Sequence, residues 1–437
     1  MVLIFINKLS PRKQYIFKHI FKRLLEIPFE FTSNLSEFIA YEGPKLSYGK
    51  KSLGDEFFIW SYGLLNEVGI DDHEIEVHQW EELPIFFKAP DRSDLPFDIF
   101  SASFYLLTRY EEYLPQVKDD LGRFTASASI AAQHHFLDIP LLDLWIMKLG
   151  EELEKRFDIT LPRKRDTQII TAIETASIFQ YKNRAIVPVF HSLYESLSKL
   201  QVRKFLRQIG VHLRLVKDPY NVYDIVLRIY RESIAQLPKN LKYNRRILYL
   251  FHLGDYNYID NGVSYRSKTY QELIKHIADY VEIGLRFSFA NGEDKIAKEA
   301  ERYESITNRP LSKTMTAFSK ISMPGHYKQL VDMDTIEDYS MGYTNIPGYR
   351  ASTSHSFYFY DLDYEVQTPL RVYPYAIHYR SIEHFMLNGQ QAIIDKLLRY
   401  ADVATGNFII IFDNDQFDLK KRSHIYTIIK KLLAYHV

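Results

Sequence analysis

Groups able to do acid–base or ligand chemistry gather at the ends of four apolar runs in this 437-residue chain. Gln168–Ile173 ends at Glu174, and Arg246–His252 runs into Leu253-Gly254-Asp255. Tyr280–Arg286 closes in Gly284-Leu285-Arg286-Phe287-Ser288, and Asn407–Phe412 runs into Asp413-Asn414-Asp415. Carboxylates, an imidazole and a guanidinium at such places could move a proton, hold a cation or bind a polar ligand. Strand ends are also where a chain returns to water, so a structural role competes at each position. General motifs add little. The chain has no zincin helix, no phosphate loop, no dinucleotide fingerprint and no nucleophile elbow. His134 and His135 are adjacent, so regular structure points them to different faces and makes them a poor metal pair. Arg109-Tyr110-Glu111-Glu112 and Asp119-Asp120 read as a solvated helix end.

The elements that must position these groups follow from periodicity. Met1–Ile6 reads as a buried first strand, too short for a secretion signal and with no basic residue before it. Ser10-Pro11 reads as an N-cap with proline at the first helical position, ahead of apolar residues at helical spacing from Lys13 to Leu25. Phe29–Thr32, Phe38–Tyr41 and Lys45–Tyr48 read as short strands, and residues 80–100 as a structured loop. Helices are expected over Ile99–Tyr113 and Pro140–Arg156. The polar stretch Leu161–Asp166 marks a boundary between units 1–165 and 166–437. Beyond it, strand-like runs, with a further one at Phe357–Tyr360, alternate with helical patterns at Ser192–Gln208, Tyr223–Ala235, Thr269–Asp279, Asp294–Ile306 and Glu383–Ala401. That alternation predicts an α/β fold with parallel strands, as an open sheet or a barrel, whose sites lie at the C-terminal strand ends.

Composition narrows the function. Fifty-five basic residues balance fifty-five acidic ones, which removes the electrostatic argument for a nucleic-acid partner. The chain has no cysteine, so thiolate zinc, a thiol nucleophile and disulfides are excluded. Aromatics at 15% speak for a large core rather than disorder. No run of 18 apolar residues is present, so no membrane span is expected, and the cytoplasm is the default location.

Three segments carry a resemblance. They are Asp338-Tyr339-Ser340-Met341-Gly342-Tyr343, Pro347-Gly348-Tyr349-Arg350-Ala351-Ser352-Thr353-Ser354 and Phe357-Tyr358-Phe359-Tyr360-Asp361-Leu362. Together they resemble a bacterial subgroup of the polysaccharide deacetylases, the NodB-homology carbohydrate esterases. Asp98–Phe104, Arg109–Pro115 and Asp120–Phe124 resemble the N-terminal domain of that subgroup. The resemblance covers most of the chain in order. It implies a distorted (β/α) barrel over 166–437 behind a smaller α+β domain over 1–165. In active relatives it implies a divalent metal, commonly zinc, held by an Asp and two His, with a second Asp as base and a His as acid. The metal would polarise the acetyl carbonyl and acidify its water.

The catalytic positions, carried over one by one, are altered. The paired-Asp segment is Thr171-Ala172-Ile173-Glu174-Thr175-Ala176, leaving one carboxylate. The Gly-Leu-His-Pro-Ser segment is Gly284-Leu285-Arg286-Phe287-Ser288, with Arg286 at a ligand position. The Arg-x-His segment is Met315-Thr316-Ala317, and the Trp-His-Asn segment is Phe412-Asp413-Asn414. A fixed cation repels a dication and pairs with carboxylates, so Arg286 is expected beside Glu174 or Asp413. The expected outcome is a pseudoenzyme with no catalytic residue, no metal and no cofactor. Its ligand-binding candidates are Glu174, Arg286, Ser288, Arg350, Asp413 and Asn414, and its partner is a glycan or a protein. Arg350 is expected to pair with Glu174 or to bind an anion, and Phe287, Phe289, Tyr343, Tyr349 and Phe412 could stack on sugars. Two rivals stand beside this reading: an active N-deacetylase whose zinc site is rebuilt from His252, Asp255, His326, Asp338 or His355, and a structural subunit of an assembly.

Overall fold

The computed structural model describes residues 1–162, 166–176, 178–182, 186–255, 259, 262–289, 292–417 and 423–435. Within the boundary read at Leu161–Asp166, residues 163–165 lie outside the described residues. The first sheet runs β2 (Phe29–Thr32), β1 (Val2–Phe5), β3 (Lys45–Gly49), β4 (Phe57–Trp60), and every ladder in it is parallel. This corrects the α+β expectation for the N-terminal segment. The crossovers explain it: Pro11–Phe17 continues as a π-helix to Leu24 between β1 and β2, and Leu35–Ala40 lies between β2 and β3. Ser10 caps the first helix by accepting from the Lys13 N–H.

Phe38–Tyr41, read as a strand, falls largely in Leu35–Ala40. Asn34 accepts from the Ser36 and Glu37 N–H groups, and this cap overrides the β propensity of a short apolar run. The stretch read as a loop at 80–100 also holds a small hairpin, β5 (His78–Trp80) with β6 (Leu83–Ile85).

The second sheet has nine strands in the order β12-β13-β11-β10-β9-β8-β7-β15-β14. These are β7 (Gln168–Thr175), β8 (Arg245–His252), β9 (Glu282–Phe287), β10 (Lys313–Thr316), β11 (Glu337–Asp338), β12 (Phe357–Asp361), β13 (Val366–Val372), β14 (Ile377–His378) and β15 (Asn407–Asp413). All ladders are parallel except β12 with β13. The chain is thus an α/β protein. The expected barrel is not closed by a strand ladder among the described residues. One segment nonetheless bonds both ways. The Tyr373 N–H donates to Asp338 O and that of Tyr375 to Met341 O, whereas the Ala376 N–H donates to Ile409 O. The helix read at Ser192–Gln208 is two helices, Ile186–Ser198 and Val202–His212, broken where Leu200 adopts a left-handed φ of 53°.

Both faces of the central strands are buried, which is why they read as continuous apolar runs. Ile169, Ile173, Ile247, Tyr249, Phe408 and Ile410 pack outward against the helices. Ile170, Ala172, Leu248, Leu250, Ile409 and Ile411 form a separate cluster with Met315, Tyr339, Tyr373 and Tyr375 on the other face.

Candidate functional site

The two-residue pleat positions the site. Glu174 continues the inner series Ile170-Ala172, His252 continues Leu248-Leu250, and Asp413 continues Ile409-Ile411. On β9 the outward residues are Ile283, Leu285 and Phe287, which leaves Gly284 and Arg286 on the inner face. Gly284 must stay small, since a Cβ there would sit 2.5 Å from Lys313 O. Register completes the arrangement, with Asp413 opposite Glu174 and His252 opposite Arg286.

At this end Arg286 Nε donates to Glu174 Oε1 at 2.6 Å, with both side chains at most 5% exposed. Burial alone would raise the Glu174 carboxyl. The Arg286 guanidinium, with His378 beside it, instead holds it well below the usual carboxylate range. His378 bridges the two acids, its Nε2 lying 3.7 Å from Glu174 Oε2 and its Nδ1 4.0 Å from Asp413 Oδ2. Asp413 is taken by Arg380 rather than by Arg286. The result is a contiguous row of polar groups, Arg286–Glu174–His378–Asp413–Arg380. Sequence reading missed His378 and Arg380, because β14 is two residues long and shows no periodicity.

The other expected residues are held by other partners. Arg350 does not approach Glu174. Its guanidinium forks onto Glu112, with Nε–Oε1 at 2.8 Å and Nη2–Oε2 at 2.6 Å. Arg109 donates to the same carboxylate and pairs with Glu111. The stretch read as a solvated helix end is therefore buried, with Arg109 and Tyr110 fully enclosed. Burial would raise Glu112, but Arg350 and Arg109 together hold it down. Glu111 goes the other way, because burial dominates. Ser288 donates through N–H and hydroxyl to Glu299 on the helix Glu293–Thr307. Asn414 is buried and donates to Tyr220 O at 3.5 Å. Phe287, Tyr343, Tyr349 and Phe412 are core residues and cannot stack on a sugar, whereas Phe289 is only half-buried.

The spare groups do not converge. His326 bonds Thr316, Asp338 accepts from Thr314 and Ser340, Asp255 pairs with Arg302, and His355 lies 3.5 Å from Asp143. Among the described residues, one group has donor atoms within 4.8 Å of one another: Glu174, His378 and Asp413. It does not fit a dication. Both carboxylates already face guanidiniums, and the imidazole turns a different nitrogen to each acid instead of aiming one lone pair at a common centre. Cavities of about 350 and 630 Å³ open at the opposite ends of the strands, around Gln168 and Asn407 in one case and Arg246 and Glu282 in the other.

Residues 2–158 match the model of a family of unknown function, DUF7033. A search of curated proteins finds no match. Among solved structures, the chain is similar to a "putative polysaccharide deacetylase" from Mycobacterium smegmatis. The TM-score is 0.37 at 9% identity, over 63% of this chain and 87% of that one. It is also similar to a GH138 enzyme targeting pectin rhamnogalacturonan II. There the TM-score is 0.26 at 7% identity, over 100% of this chain and 51% of that one. At these scores neither likeness identifies an activity.

Proposed function

We propose that the chain is a deacetylase-like protein that no longer turns over substrate and instead binds a glycan or a protein partner. One observation carries this reading: the buried Glu174–Arg286 pair at 2.6 Å. It occupies two positions where the motif resemblance implies a carboxylate and an imidazole serving a metal. A guanidinium supplies a permanent charge and a planar fork of donors, so it can neutralise the remaining acid as an ion would. The Arg380–Asp413 pair does the same at the position of the general acid. We read residues 366–378, β13 and β14 with the link between them, as the segment that closes the sheet into a distorted barrel, and 1–165 and 166–437 as two units clamped by Arg350–Glu112. With most of the candidate aromatics buried, a glycan would meet polar groups and Phe289 at the mouth.

Elemental analysis of the purified chain after zinc exposure and dialysis tests the metal. Acetate release from an N-acetylated chito-oligosaccharide tests turnover, and calorimetric titration with the same oligosaccharide tests binding. The expected result is no stoichiometric zinc and no acetate, in the native chain and in Arg286→His alike. One zinc per chain, lost in His378→Ala and accompanied by acetate release, would overturn the proposal and make Glu174, His378 and Asp413 ligands.

A further inference from the structure

Between β7 and the helix Tyr223–Ala235 the chain makes a long excursion. Its base is pinned by one carboxylate. Asp218 accepts from the N–H groups of Gln180, Tyr181, Lys182 and Tyr220 at 2.7–3.0 Å. Beyond the pin stand the helices Ile186–Ser198 and Val202–His212, and their described part is turned inside out. Ser196 and Gln208 are buried, and Gln208 donates to Ser192 across the pair. Leucines face water instead: Leu200 is 83% exposed, Leu206 61% and Leu197 58%, with Tyr194 and Leu213 beside them. A hairpin built only for solubility would place these residues the other way round.

The charge is equally uneven. Residues 194–217 carry six Lys or Arg and one Glu, a net charge of +5 in a chain whose total is zero. Arg203, Lys204, Arg214 and Lys217 have no ion pair among the described residues. On the second helix Val202, Leu206 and Ile209 lie along one stripe, and Arg203 and Arg207 lie along the neighbouring one.

We propose that this hairpin docks on the surface of an anionic lipid bilayer. Protruding leucines can enter the boundary between headgroups and acyl chains, while long basic side chains reach lipid phosphates. A second copy fits poorly, because an isologous contact would set one +5 surface against another. The hairpin lies on the surface and does not cross it, since no helix among the described residues is long and apolar enough to span a membrane.

The test is co-sedimentation of the full chain with phosphatidylcholine vesicles, with and without phosphatidylglycerol. Binding is expected only to the anionic vesicles and should weaken with salt. Arg203→Glu with Lys204→Glu, and separately Leu200→Ser with Leu206→Ser, should each lower the partition about tenfold or more. Both pairs are exposed or half-buried, so circular dichroism should be unchanged. A Leu206→Trp reporter should shift its emission to the blue on anionic vesicles alone. No sedimentation with anionic vesicles, or sedimentation untouched by either pair of substitutions, would overturn the proposal. Capture of an acidic protein by a chain that ignores lipid would also overturn it and make the hairpin a protein interface.

Discussion

The Glu174–Arg286 pair sets a residue-scale expectation that separates an ion pair from mere proximity. Arg286→Met leaves a carboxylate enclosed without its counter-charge, at an expected cost of about 3–5 kcal/mol in urea unfolding. Adding Glu174→Gln to the same chain should recover much of that loss, because the desolvated charge goes too. Acid should reveal the pair as well. Glu174 is held below its ordinary value of 4.5, so its contribution is complete above that pH and fades as pH falls below it. The stability difference between the native chain and Glu174→Gln should therefore shrink below about pH 4.5. Glu174 and Arg286 were legible in the sequence because each stands at the end of a long apolar run and in a segment that resembles a known motif. Arg350 was not, because its partner Glu112 lies 238 residues away and belongs to the other half of the chain.

Elements show where periodicity runs out. Long strands such as β7 and β15, and the helix Tyr223–Ala235, match their patterns almost residue for residue. β10, β11 and β14 have two to four residues and carry no period to read. The strand expected at Phe38–Tyr41 failed because one side-chain cap outweighed local β preference. Asn34→Ala removes that cap and should cost about 1 kcal/mol, measured by chemical denaturation. The broken helix at 199–201 failed for a related reason: a leucine in the left-handed region gives no compositional warning of the turn it makes.

At the scale of the whole molecule, one apolar core runs from Val2 to Leu433, and buried charge also crosses between the two ends of the chain. Arg109, Glu112 and Arg350 form one cluster, and Asp143 accepts from Thr353 and Ser354 in a second. Glu112→Ala should therefore destabilise both halves, and calorimetry should record one transition rather than two. Acid also acts globally. Burial lowers His326 to about 4 and holds His19 well below its ordinary range, so both stay neutral in the fold and charge on unfolding. Stability should fall as pH drops from 6.5 towards 4, by about 3 kcal/mol from His326 alone. Burial raises Asp338 to about 6, which opposes that trend between pH 6 and 3.8. His326→Gln should flatten the pH dependence of the urea midpoint, and Asp338→Asn should steepen it.

The segment 366–378, bonded to β11 at one end and to β15 at the other, has a kinetic consequence. It works as a latch, because β11 and β15 cannot draw apart without first releasing the same stretch of backbone. The amides of Tyr373, Tyr375 and Ala376 should then exchange with solvent deuterium only through global unfolding. Their protection should equal the full unfolding free energy, while the Asn34-capped helix exchanges by local fraying. Faster exchange at Ala376 than at β7 would mean that the latch opens on its own.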